Sequence, residues 1–173
     1  MIKISKGLDL PISGTPSLTI TDEPKCSSVS LLGNDFVGMK PTMMVKVGEN
    51  VKAGQKIFED KKNPGIFYTS PAGGEVKSIN RGDKRRFLSI EIEISDNEDF
   101  EYFDISQEHE PNEIRQCLIN SGTWNAFRTR PFNRTPSIDS SPKALFINCC
   151  DTNPLSTDPY NVINQDKDLF DEG

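Results

Sequence analysis

The sequence predicts an α+β protein, mainly β, in which a flattened two-armed barrel precedes the start of an α/β unit. Three observations carry this: a glycine-punctuated apolar pattern repeated within residues 45–79, an alternating stretch at 87–94, and a helical pattern followed by a continuous apolar run beyond residue 110. In the first arm Val45, Val47, Val51, Ile57 and Phe58 are the apolar positions. Gly48 and Gly54 stand where the chain must turn, and only glycine takes positive φ there without penalty. In the second arm Ile66, Tyr68, Val76 and Ile79 repeat the arrangement, entered through Ser70-Pro71 and turned at Gly73-Gly74. Neither arm is large enough to bury its own apolar face, so the two must close on each other.

That spacing resembles the barrel-sandwich hybrid of biotinyl and lipoyl domains, whose carrier lysine stands at the tip between the arms. Here the tip reads Glu59-Asp60-Lys61-Lys62-Asn63-Pro64-Gly65, without the Met-Lys-Met of biotin carriers or the Asp-Lys-Ala of lipoyl turns. Counting back from Pro71 puts Asn63 nearest the carrier position, so the expectation is an unmodified, structural hybrid motif. A carrier domain modified on Lys61 or Lys62 is the alternative.

Four segments follow from the punctuation. Residues 1–28 open with a strand-like Met1–Ser5, and Pro11, Gly14, Pro16 and Pro24 then keep the chain extended, as a wrapping arm. Residues 29–95 form the barrel domain, with a strand at Val29–Leu32 and a glycine-flanked loop, Gly33–Pro41, that presents Phe36, Val37 and Met39. Those side chains are read either as tucked under the loop or as offered to a partner. Arg81–Arg86 gathers positive charge at a turn, read either as a solvated hairpin end or as a contact for anionic lipid head groups or an acidic subunit. Leu88, Ile90, Ile92 and Ile94 alternate with Ser89, Glu91 and Glu93 as a half-buried strand.

Residues 96–110 are acidic and read as a linker, and 111–173 as the beginning of an α/β domain. Pro111 at a helix start, Glu113 in its first turn, Ile114, Cys117 and Leu118 at helical spacing, and Gly122 past the end describe one amphipathic helix. The loop beyond it holds Trp124, Phe127, Arg128, Arg130, Phe132 and Arg134. Ala144–Cys150 is expected as a buried strand, and polar residues at the carboxyl end of such a strand are where open α/β sheets place ligands.

With 26 acidic against 20 basic residues, the chain is a poor candidate for nucleic acid. No apolar run approaches the roughly 18 residues of a membrane span, and Met1–Ile12 lacks a signal-peptide core, so the expected location is cytoplasmic. Cys26, Cys117, Cys149 and Cys150 make no C-x-x-C, and the one histidine, His109, lies in an acidic stretch, which argues against zinc and iron–sulfur sites. Paired carboxylates, a Ser-His-Asp set and a Cys-His pair are all lacking, so independent catalysis is not expected.

Taken in order, KGLDLPISG, the hybrid arms, SGTWNAFRTRPF and ALFINCCDTNPL resemble the NqrA family of the sodium-translocating NADH:quinone reductases, end to end. More distantly the chain resembles the C subunit of the Rnf electron-transport complex and, from residue 105, the flavoprotein subunit of complex I. Members of the family are longer, and the chain is read as an N-terminal fragment in which a Rossmann-like domain begins. In the flavin-binding relatives the loop after the helix is glycine-rich and cradles phosphate; here only Gly122 is retained among Trp124, Phe127, Arg128 and Arg130, so no cofactor is expected in this chain. The resemblance implies a peripheral subunit on the cytoplasmic face of the bacterial inner membrane, docked chiefly on the membrane subunit NqrB. The NADH, flavin and iron–sulfur sites of such an enzyme lie on its other subunits. The resemblance further implies that this chain borders the site of ubiquinone, the substrate. Phe36, Met39, Trp124 and Phe132 are the candidates for an aromatic slot, and Arg128 or Arg130 for a polar contact to a quinone carbonyl. A purely structural scaffold without ligand is the rival reading.

Overall fold

The computed structural model describes residues 11–20, 26–96, 99–103, 110–148, 151, 153–164 and 166–172. The expected strand at Met1–Ser5, His109 with most of the linker's second half, and Cys149-Cys150 lie outside them. Two compact units are present, one of residues Lys25–Ser141 and one of Met1–Pro24 with Pro142–Gly173.

The larger unit is built on two antiparallel sheets. β1 (Ser28–Leu32), β7 (Phe87–Ile94), β6 (Gly74–Arg81) and β3 (Asn50–Val51) lie side by side in that order. β2 (Pro41–Met43), β4 (Lys56–Asp60) and β5 (Phe67–Thr69) form the other sheet, with β4 in the centre. Between them lie the residues that the alternation marks as apolar: Ile57, Phe58, Ile66, Val76, Ile90 and Ile92 are fully buried, and Tyr68 nearly so. Burying each such side chain is worth about 1.5–3 kcal/mol, so this set dominates the stability of the unit. An aromatic row runs through it, with Phe36 edge-on to Tyr68 at 4.6 Å, Tyr68 stacked on Phe58 at 4.6 Å, and Phe58 against Phe87 at 5.3 Å.

Both expected turn glycines have positive φ, +85° at Gly48 and +87° at Gly54. Gly74 is constrained differently, by close approach: a Cβ there would lie 1.9 Å from the carbonyl oxygen of Glu93, so β6 and β7 can pair at this end only if the position is glycine. Val47, placed in the first arm by its spacing, is instead 60% exposed, because the 47–48 turn carries it off the sheet. The strand 87–94 is also not a simple alternation. β7 pairs Ser89 with Asn80 but Phe87 with Arg81, which leaves Leu88 in a bulge; Phe87 is buried and Leu88 exposed, the reverse of the expectation.

The acidic connection docks where it is described: Phe100 bridges to Ala53 in parallel, Ala53 N–H donates to the Asp99 carbonyl at 2.8 Å, and Lys52 pairs with Asp99 at 3.0 Å. Next comes α1 (Pro111–Asn120), with proline in its first turn and the Glu113 carboxylate accepting from Glu110 N–H at 3.2 Å. Its buried residue is Ile119, while Ile114 is 46% exposed, because the helix turns its C-terminal end toward the barrel. Thr69 Oγ1 donates to the Ser121 carbonyl at 3.2 Å and Asn125 Nδ2 to the Phe67 carbonyl at 2.7 Å, tying this end to β5. Residues 111–141 therefore share a core with the barrel.

In the smaller unit, α2 (Pro159–Ile163) is capped by Asp158, whose carboxylate accepts from Tyr160 N–H at 3.0 Å, and α3 (Lys167–Glu172) follows. The expected strand at Ala144–Cys150 is not formed over Ala144–Asn148. These residues are exposed coil, Phe146 at 94%, because no described strand lies beside them to take up their backbone groups.

Candidate functional site

Two loops of the larger unit meet on one side of the barrel. The first, Gly33–Lys40, opens with a 3-10 turn at Gly33–Asp35 and folds back at Phe36, whose carbonyl accepts from Met39 N–H at 3.2 Å. Phe36 and Met39 are half-buried against the core. The second follows the 3-10 turn Thr123–Ala126. Its Arg128 guanidinium lies over the Phe36 ring at 5.7 Å and donates to the carbonyls of Asn125 and, at 3.1 Å, Phe127. Arg134 is close to Gly38, with its Nε 3.6 Å from where a Cβ would stand. Three of the six residues singled out from the sequence, Phe36, Met39 and Arg128, are thus brought together.

The other three stand apart. Trp124 is only 8% exposed: its indole N–H donates to the Pro136 carbonyl at 3.0 Å, Phe127 packs edge-on at 5.4 Å, and Arg115 covers its face at 5.3 Å. It packs one wall of the unit rather than opening onto a slot. Arg130 and Phe132 lie on the exposed turn closed by Thr129 N–H to the Arg134 carbonyl, 2.8 Å, and Phe132 is 71% exposed.

Tyr68 joins the cluster unforeseen. Its alternation on β5 predicts a core residue and nothing more, yet its hydroxyl is buried and without a hydrogen-bond partner among the described residues. Burial pushes its pKa up, with Asp60 adding to the effect; Thr135, beside it without completing a hydrogen bond, and the Arg128 charge oppose it. The Phe36 ring and the Arg128 guanidinium can meet a flat, weakly polar ring, with the buried Tyr68 hydroxyl behind them, but they form no acid–base pair.

The hairpin tip lies beneath the second loop. Asn63 Nδ2 donates to the carbonyls of Thr135 at 3.3 Å and Pro136 at 3.2 Å, and Ile138 closes on Gly65. The buried Asp60 carboxylate accepts from Lys40 N–H at 3.0 Å and Lys62 N–H at 2.9 Å, which fixes the tip to the first loop.

On its other side the first loop faces the turn between β6 and β7 across a cleft of about 400 Å³. Lys40, Lys62, Arg81, Lys84, Arg85 and Arg86 line it, beside the buried Phe87 and half-buried Phe36 and with the exposed Val37 at its edge. The basic run 81–86 is legible in sequence, whereas Lys40 and Lys62 join it only through the fold. Lys84 and Arg85 both have left-handed backbones, φ 53° and 63°. Each costs roughly 1–2 kcal/mol in a residue other than glycine. Among the described residues no group of three His, Cys, Asp or Glu side chains is placed to hold a metal, and no helix is long and apolar enough to cross a membrane.

Residues 2–95 match the family model of the NqrA N-terminal barrel-sandwich hybrid domain, and residues 109–173 that of the NqrA second alpha/beta domain. The chain belongs to the NqrA family. Among curated NqrA relatives, each named as the A subunit of a Na(+)-translocating NADH-quinone reductase, that of Photorhabdus laumondii is 50% identical over 177 residues, that of Vibrio atlanticus 47%, and that of Neisseria gonorrhoeae 46%. Each comparison covers the whole of this chain and 40% of the relative, so the chain spans about two-fifths of the length of the NqrA proteins it matches. The barrel-sandwich hybrid followed by an α/β domain, expected from the sequence, is the fold of the family. The NqrA relatives are subunits of an oxidoreductase that carries sodium, as their names state.

Proposed function

We propose that this chain supplies the first two domains of NqrA in a sodium-translocating NADH:ubiquinone reductase. In this reading it sits at the cytoplasmic face, against the membrane subunit NqrB, with its junction of loops 33–41 and 127–134 bordering the ubiquinone site. The names of the relatives support the enzyme. The observation that carries the site is the Arg128 guanidinium over the Phe36 ring, one residue from each loop. A quinone ring stacks on an aromatic face, and its carbonyls gain negative charge on reduction, which a neighbouring guanidinium favours. NADH, flavin and iron–sulfur chemistry belong, on this proposal, to other subunits.

The test uses the assembled reductase. Arg128→Lys keeps the charge but removes the planar fork, and Arg130→Ala alters only the exposed turn. Arg128→Lys is expected to raise the quinone KM on the order of tenfold while NADH oxidation by an artificial acceptor is unchanged. Normal quinone kinetics in both variants, with assembly intact, would favour the scaffold role to which the buried Trp124 and the Asn63 clasp also lend themselves.

A further inference from the structure

We propose that the cleft between loop 33–41 and the 81–86 turn is a binding site for a phosphate-bearing anion. Six cationic side chains line it and no carboxylate does, in a chain whose acidic residues outnumber its basic ones by 26 to 20. Lys52 and Lys77 are ion-paired, to Asp99 and Glu91, but none of the six is ion-paired among the described residues. Their hydrogen bonds leave most of their donors free: Arg86 donates to Asn34 Oδ1, and Arg81 to the Arg85 carbonyl at 3.4 Å. Six like charges around one space repel each other, so a counter-anion that enters it relieves a stress the fold has built in.

The chemistry of that anion follows from the lining. Arginine presents paired N–H donors that match two oxygens of one phosphate, and lysine adds point charge. A single monovalent ion would leave most of the charge uncompensated, so the ligand brings at least two negative charges to the cleft, on one soluble molecule or on neighbouring head groups of a membrane surface. The buried Phe87 and half-buried Phe36 keep water from one side and strengthen each charge–charge contact. At about 400 Å³ the cleft has the size of a small-ligand site. Lys84 and Arg85 are held in a backbone conformation that side chains rarely adopt, a kind of strain concentrated at ligand clamps. The phosphate has two possible sources, the head group of an anionic phospholipid and a soluble diphosphate.

The experiment uses the whole chain with two probes at fixed ionic strength. Inorganic pyrophosphate is titrated while thermal unfolding is followed, and co-sedimentation is measured with phosphatidylcholine vesicles with and without phosphatidylglycerol. A saturable rise in Tm with pyrophosphate identifies a soluble ligand; binding only to the phosphatidylglycerol vesicles, without a pyrophosphate effect, identifies the head group. In either case Lys84→Ala/Arg85→Ala weakens binding about tenfold or more, whereas Lys46→Ala/Lys143→Ala, with the same loss of charge elsewhere, leaves it within about twofold. Neither probe binding, or equal losses in the two double variants, overturns the proposal.

Discussion

The two hairpin turns of the barrel share one scaffold and treat their polar groups in opposite ways. At the Asp60–Gly65 tip the polar groups are taken up both within the turn and by the rest of the chain: the Asp60 carboxylate takes the N–H groups of Lys62 and of the distant Lys40, Glu59 takes that of Gly65 at 2.8 Å, and Asn63 reaches the 135–136 carbonyls. The backbone of the Gly82–Arg86 turn closes on itself, through Gly82 N–H to the Arg86 carbonyl at 2.8 Å and Arg85 N–H to Gly82 at 3.1 Å, and of its side chains Arg86 reaches another loop, at Asn34 Oδ1. Its charged ends face a cleft. A turn whose donors are consumed internally is structure. A turn that keeps most of its side-chain donors and holds two residues in a strained backbone is, on the anion-site proposal, where a ligand is met.

The contrast breaks first at Asp60. Asp60→Ala removes a buried acceptor of two backbone N–H groups, and stability should fall by about 3 kcal/mol in urea unfolding, with pyrophosphate binding weakened as Lys40 and Lys62 lose their anchor. A loss as small as that of an ordinary surface change would mean the closed tip is not held as described. At the other turn the sign reverses. Arg85→Gly relieves a left-handed residue and should raise stability by about 1 kcal/mol while reducing anion binding, a split that a merely solvated turn would not produce.

Tyr68, just past the closed tip, sharpens the comparison with the smallest effect. Because burial raises its pKa, the folded chain keeps the phenol proton at a pH where the unfolded chain has lost it. Stability therefore declines as pH climbs through and above the ordinary tyrosine value of about 10. Tyr68→Phe should be within about 0.5 kcal/mol of the parent at neutral pH, since it deletes a hydroxyl with no partner, and should flatten that alkaline decline. Urea titrations at neutral pH and above pH 10 measure both.

How far these features are legible in sequence depends on how local they are. The two arms can be read because strand alternation and turn glycines are properties of neighbouring residues: Ile57, Phe58, Tyr68 and Val76 are core, and Gly48 and Gly54 turn the chain. Leu88 is misjudged because a bulge is decided by pairing with β6, and Ile114 because only tertiary contact selects Ile119 as the helix's buried residue. Of the six expected site residues, the aromatic ones are the least predictable. The same residue type serves as wall at Trp124, as meeting face at Phe36 and as exposed turn at Phe132. Lys40 and Lys62 carry no local signal, since the fold alone brings them to the basic run.

The clasp between Asn63 and the Thr135 and Pro136 carbonyls spans more than seventy positions of chain. The strands of the barrel pair within residues 28–94, so they can assemble before the clasp exists. During synthesis the barrel would therefore emerge with its tip and the seat beside β5 uncovered, and would wait for about forty further residues before the cover arrives. In that interval Phe67 lies at an unfinished surface, open to a chaperone or to an identical nascent chain on a neighbouring ribosome.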